Sequence, residues 1–109
     1  MPLLKDHLHG TLDALVLKTL TFGPRHGYGI VRWLRDQTQN GVAIEEGSVY
    51  PALYRMERDK WIEADWGLSE LGRKAKVYSI TANGRARLRA ETEEFASFVA
   101  LVAPLLLPA

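Results

Sequence analysis

The apolar positions of this chain fall into four helical periods and two longer alternating stretches. Leu12, Leu15, Val16, Thr19 and Leu20 recur at i, i+3, i+4, i+7 and i+8, the spacing that places side chains on one face of a helix. Thr11 stands where a cap would, Asp13 in the first turn suits the positive end of the dipole, and Gly23-Pro24 stops the segment. Leu17 widens the apolar face beyond what one core needs, so part of this helix is expected to meet another subunit. After His26-Gly27-Tyr28-Gly29, the residues Ile30, Val31, Trp33 and Leu34 alternate in groups with Arg32, Arg35 and Asp36, predicting a second helix that runs to Gln39. Asn40-Gly41 makes a turn, and Val42, Ala43 and Ile44 read as a short strand.

A third helix follows. With Ser48 as its cap, Pro51 falls in the first turn, where a missing N–H costs little. Val49, Leu53 and Met56 then share the inner face, which leaves Tyr50, Pro51, Tyr54, Arg55 and Arg58 pointing outward. Trp61 to Trp66 alternates, with Ile62, Ala64 and Trp66 on one face. Gly67 to Gly72 reads as a loop, and Arg73 to Ile80 alternates again with Tyr78 and Ile80 inward, completing a two-stranded antiparallel ribbon. Thr81 caps a final helix in which Leu88, Thr92, Phe95, Val99, Val102 and Leu106 are spaced alternately by four and three, the seam of a coiled-coil-like contact. Phe98, Leu101 and Leu105 form a second stripe, and Pro104 is expected to bend or end the helix near Ala103.

Three helices and a β-hairpin, in that order, are the elements of a winged helix-turn-helix, in which the third helix is the reader. The expected fold is therefore mainly α with a small β-hairpin: a winged domain over residues 1–80 and a dimerisation helix over residues 81–109. The last helix carries more apolar surface than so small a body can cover, and a twofold homodimer is the simplest remedy.

Composition narrows the chemistry. The chain has 109 residues, 47% hydrophobic and 25% charged, enough for one domain with a small core. Its net charge of +1 does not by itself point to nucleic acid, so a basic site has to arise by clustering. Arg73, Lys74, Lys76, Arg85, Arg87 and Arg89 do cluster, with no acidic residue between Arg73 and Arg89, and Glu91, Glu93 and Glu94 follow at once. Arg73, Lys74 and Lys76 lie just past the ribbon tip, where a wing would run beside a phosphate backbone. A competing account is an edge strand protected by charge. For Arg85, Arg87 and Arg89, ion pairs with the following glutamates account for them equally well. Two outward tyrosines a turn apart beside arginines suit a groove with phosphates and guanine edges. The bland alternative is a surface helix with half-buried tyrosines.

Absent residue types exclude several functions. No cysteine means no disulfide, thiolate metal site or cysteine nucleophile, and fits a reducing compartment. Lys5, Asp6, His7 and His9 interrupt any signal-peptide core, and the C-terminal apolar run is shorter than the roughly 20 residues that span a bilayer, so a cytoplasmic setting is expected. None of the three histidines has a carboxylate at triad or metal spacing, and no glycine-rich phosphate loop is present. Neither catalysis nor a metal or cofactor is expected; His26 is expected to satisfy backbone groups of its turn.

Several motifs resemble those of the PadR family of transcriptional regulators, of the short kind with a single C-terminal helix. They are Gly10-Thr11-Leu12-Asp13, the run from Gly23 to Ile30, Glu46-Gly47-Ser48-Val49-Tyr50-Pro51-Ala52-Leu53, Trp61-Ile62, and the run from Arg73 to Thr81. The resemblance implies a homodimeric winged-helix repressor on a palindromic operator. By position, Ser48, Tyr50, Pro51, Tyr54 and Arg55 would lie in or over the major groove, while Tyr28, Arg73, Lys74 and Lys76 would hold phosphates. The dimer would form through the last helix, helped by the first, using Leu17, Leu88, Phe95, Phe98, Val99, Val102 and Leu106. Some members respond to small aromatic effectors at that interface; here it offers Phe95 and Phe98, for which plain interface packing is the favoured reading over an effector pocket, and no tryptophan on the last helix. The alternative is a winged helix used only as a protein-interaction module, which calls for an apolar or acidic reader face.

Overall fold

The computed structural model describes residues 11–68 and 71–108. Lys5, Asp6, His7, His9 and Gly10, and Ser69 and Glu70 of the hairpin loop, lie outside the described residues. Within the described residues, four helices and three strands follow in the order α1 (Leu12–Leu20), β1 (Arg25–His26), α2 (Gly27–Gln37), α3 (Glu46–Arg58), β2 (Ile62–Leu68), β3 (Lys74–Ile80) and α4 (Ala82–Leu106). The strands form one antiparallel sheet in the order β1-β3-β2.

Three helices close over one core. Val16 and Leu20 of α1, Ile30, Val31 and Leu34 of α2, and Val49, Leu53 and Met56 of α3 meet there, with Ile62 and Tyr78 sealing it from the sheet. Leu17 belongs to this core. It is 0% exposed, so its expected place in a subunit contact is corrected. Packing of α1 against α2, α3 and α4 encloses the helix on several sides, and its own domain uses the extra apolar width.

The sheet differs from the expected two-stranded ribbon. Arg25 and His26 pair with Tyr78 and Val77, adding a third strand too short to leave a period in the sequence. The expected strand at Val42–Ile44 does not form. Ile44 is instead buried as a core plug, and its carbonyl accepts from Arg35 Nε at 2.9 Å. Along β2, Ile62 is buried and Ala64 half-buried, while Trp66 is 65% exposed. Trp66 pairs with Lys76 on the outer half of the hairpin, which has run past the helices that would cover it.

Helix ends follow local chemistry, with two corrections. Thr81 caps α4 as expected, its hydroxyl accepting from Gly84 N–H at 3.0 Å and donating to the Lys60 carbonyl at 2.7 Å. His26 caps α2, Nδ1 accepting from Gly29 N–H at 3.0 Å, which bears out its expected role in the turn. By contrast, α3 starts earlier than expected: Glu45, not Ser48, holds the cap position, and its carbonyl accepts from Ser48 and Val49 N–H at 3.0 Å each. Pro51 thereby sits in the second turn and deprives the helix of one bond near its start. Pro104 likewise does not stop α4, which continues to Leu106; the Leu107 N–H still reaches the Ala103 carbonyl at 2.8 Å.

Gly84 brings α4 close to the rest of the domain, since a Cβ there would collide with the Trp61 carbonyl. Beyond Leu88, which packs on the core, α4 leaves the body and the molecule measures 52 × 29 × 21 Å. Leu88 is thus committed mainly to its own domain, while Phe95 and Phe98, 53% and 62% exposed, face outward with Val99 and Leu106. Val102 is half-buried.

Candidate nucleic-acid interface

The inner face of α3 is pinned by Val49, Ala52, Leu53 and Met56, all buried. Helical geometry then forces the residues between them outward. Ser48 and Pro51 are exposed, Tyr50 is 44% exposed and Tyr54 72%. The Tyr50 ring lies against the first turn of α2, where Gly27 leaves room for it: a Cβ at Gly27 would stand 2.5 Å from Tyr50 Cε1. Partial burial, and then the negative charge of Glu46, hold the Tyr50 phenol above its ordinary value of 10.0. The hydroxyl is therefore a protonated donor at neutral pH.

A groove of about 1020 Å³ opens between the start of α2, Tyr50 and the hairpin. Tyr28, Tyr50, Arg73, Lys74 and Lys76, singled out in the sequence, all line it. Arg25, Arg32 and Trp66 line it too and had no sequence signal. Arg25 sits in a two-residue strand, Arg32 looks like any solvated helix position, and Trp66 reads only as sharing a face with Ile62 and Ala64. Only the pairing of β1 with β3 draws Arg25 to the hairpin. Among the described residues that line it, five are basic (Arg25, Arg32, Arg73, Lys74 and Lys76) and one, Asp36, is acidic. Cations also stand over rings: Arg32 lies 6.0 Å from the Tyr28 centroid, Lys74 5.8 Å from Trp66 and Arg25 5.7 Å from Trp33. Arg25 Nε is buried and has no hydrogen-bond partner among the described residues.

Two of the expected contacts are engaged inside the protein. Arg55 does not point free of the domain. Its Nη1 and Nη2 donate to the two carboxylate oxygens of Asp13 on α1, at 2.7 and 2.9 Å. That hydrogen bond, more than any other influence, raises the guanidinium above its ordinary value. Lys76 Nζ donates to Glu57 Oε1 at 3.2 Å, and this bond followed by the Glu57 charge raises the Lys76 ammonium. Tyr54 stands on α3 outside the groove lining. Farther on, Arg87 pairs with Glu91 at 2.7 Å and lies 4.7 Å over Trp61, in keeping with the ion-pair account of that arginine.

A separate groove of about 820 Å³ runs between α1 and α4. Ala14, Leu15 and Lys18 form one wall, and Leu88, Phe95 and Phe98 the other. Among the described residues no group of three His, Cys, Asp or Glu could hold a metal, and no helix is long and apolar enough to cross a membrane.

Residues 16–90 match the transcriptional regulator PadR-like family. The chain belongs to that family. PadR-like proteins are transcriptional regulators, not enzymes, and the four helices with a small antiparallel sheet are their winged-helix fold. Over 91 residues the chain is 34% identical to an uncharacterized protein of Lysinibacillus sphaericus, covering 84% of each. A PadR-like transcriptional regulator of Bacillus cereus superposes with a TM-score of 0.79 at 31% identity, over 95% of this chain and 99% of that one. Bacillus subtilis PadR, solved in complex with operator DNA, shares the fold at 20% identity with a TM-score of 0.65, over 72% of this chain and 45% of its own.

Proposed function

We propose that this PadR-like regulator binds double-stranded DNA as a homodimer and represses transcription from a two-part, palindromic operator. In this reading α3 enters the major groove with Ser48, Tyr50, Pro51 and Tyr54 toward the bases, and Tyr28 and the hairpin flank it on phosphates. The carrying observation is the single groove on which Tyr28, Tyr50, Arg73 and Lys74 converge with Arg25 and Arg32 and, among the described residues, one carboxylate. A cationic, aromatic face suits a phosphate backbone, whose neutralisation by Lys and Arg supplies most sequence-independent affinity. It is not the apolar or acidic reader face that a protein-interaction module would call for. Arg25 and Arg32 are added to the phosphate-contacting set, and Lys76 contributes to it while also paired with Glu57.

The homodimer rests on the outward stripe of Phe95, Phe98, Val99 and Leu106 along α4, with Val102 at its edge. A winged domain at each end of the paired helices would present two α3 helices about 34 Å apart, one turn of DNA. A small aromatic effector would sit in the groove between α1 and α4, against Phe95 and Phe98, and re-angling the pair there would release DNA. Residues 1–80 would then be the DNA-binding unit and residues 81–109 the dimerisation unit.

The test is a footprint on the DNA just upstream of the gene. Wild-type protein is expected to protect two half-sites about ten base pairs apart. Tyr50→Ala with Tyr54→Ala is expected to abolish the preference for that site while leaving the dimer intact in sedimentation. Unchanged footprints would remove α3 from the bases.

A further inference from the structure

Arg55 sits on the helix proposed to read DNA, yet both of its terminal nitrogens are spent on Asp13. The two residues are 42 positions apart, on α3 and α1. A guanidinium fork closed on both oxygens of a carboxylate fixes the rotation of one helix on another as well as the distance, which a single ammonium contact does not. The pairing also cancels the long-range pull of Arg55 on a phosphate, because an equal negative charge lies within 3 Å of it. To touch a base, Arg55 would have to abandon a half-buried carboxylate and leave it without its guanidinium.

Two further features give this fork a role. Glu57, two residues on along α3, holds Lys76 of β3 at 3.2 Å, so the C-terminal half of the helix is braced to the hairpin as well as to α1. The Arg55 fork is the stiffer brace because it is bidentate; Lys76 makes a single contact with Glu57, and the Arg55 and Lys76 side chains are equally exposed. On α1, Ala14 directly follows Asp13 and lines the groove shared with α4. One short helix therefore carries the groove wall and the anchor of the reader.

We propose that Arg55 is a positioning residue: its fork with Asp13 sets the seat of α3 on α1, and the operator senses it through the placement of Tyr50 and Tyr54 rather than through contact. This rests on the DNA-binding reading above.

The experiment uses the full chain with Asp13→Asn, Arg55→Met and the exchanged pair Asp13→Arg with Arg55→Asp. Each is measured for affinity to the footprinted site, affinity to an unrelated duplex, the slope of log affinity against log salt, and thermal unfolding. Asp13→Asn and Arg55→Met are expected to lower the ratio of specific to non-specific affinity about tenfold, the scale of one good base contact displaced. Arg55→Met should not change the salt slope, and the exchanged pair should recover most of the ratio. If Arg55 touches DNA directly, Asp13→Asn will hold or raise specific affinity, Arg55→Met will cut the slope by about one unit if the contact is a phosphate, and the exchanged pair will be as poor as Arg55→Met. Any of these overturns the proposal, as does a fall in melting temperature with the ratio unchanged, which is the mark of a merely structural pair. Wild-type protein without sequence preference would sink the DNA-binding reading itself; wild-type preference matched by Asp13→Asn sinks only this inference.

Discussion

Tyr50 carries two demands on one side chain. Its ring edge and hydroxyl are lodged where Gly27 leaves space, and the same residue lines the cationic groove. Tyr78, buried beneath the same groove, is likewise held above its ordinary value of 10.0, chiefly by burial. Because both phenols are harder to ionise folded than unfolded, the unfolded chain loses these protons first as pH rises. Their contribution to stability is complete below about pH 10 and declines as pH climbs from there through the raised folded values. Denaturant unfolding across alkaline pH is expected to show that loss, with Tyr50→Phe plus Tyr78→Phe losing less. A double variant with the same alkaline slope as wild type would mean that other groups control it.

At the scale of elements, the hairpin and α2 deliver cations that the net charge conceals. Arg73 and Lys74 lie on the wing side of the groove, and removing one phosphate-binding cation should lower the slope of log affinity against log salt by about 0.9. Arg73→Ala with Lys74→Ala is expected to flatten that slope by nearly twice as much per bound half-site, with little change in the order of preferred sequences. An unaltered slope would take the wing off the DNA. The Lys74→Ala change also uncovers Trp66, over which the ammonium now stands at 5.8 Å. The core is untouched, so the fold should hold.

At the scale of the whole molecule, α4 decides the shape. Its 25 residues make a rod about 37 Å long at about 1.5 Å per residue, anchored at Gly84 and Leu88 and bare on its apolar side thereafter. Phe95, Phe98, Leu101 and Leu105 are exposed together, more apolar surface in one place than a monomeric domain normally shows to water. Phe95→Glu should therefore give monomers in sedimentation, with a folded winged domain by circular dichroism and much weaker operator binding. A persistent dimer would mean that the pairing uses another face of α4.

Periodicity and capping are local properties, and they made much of this protein legible in one dimension. The four helices, the hairpin, the caps at His26 and Thr81, and the outward set Ser48, Tyr50, Pro51 and Tyr54 all follow from spacings of three or four residues or from a turn of chain. Residues far apart in sequence have no such signature. The pairing of Arg25 and His26 with β3, the burial of Leu17, the exposure of Trp66 and the hold of Asp13 on Arg55 were decided only when the elements packed. An arginine on an outward-looking helical position reads the same whether water, a phosphate or a distant carboxylate awaits it. What awaits it is set by the neighbouring helix, and that is information the tertiary structure alone contains.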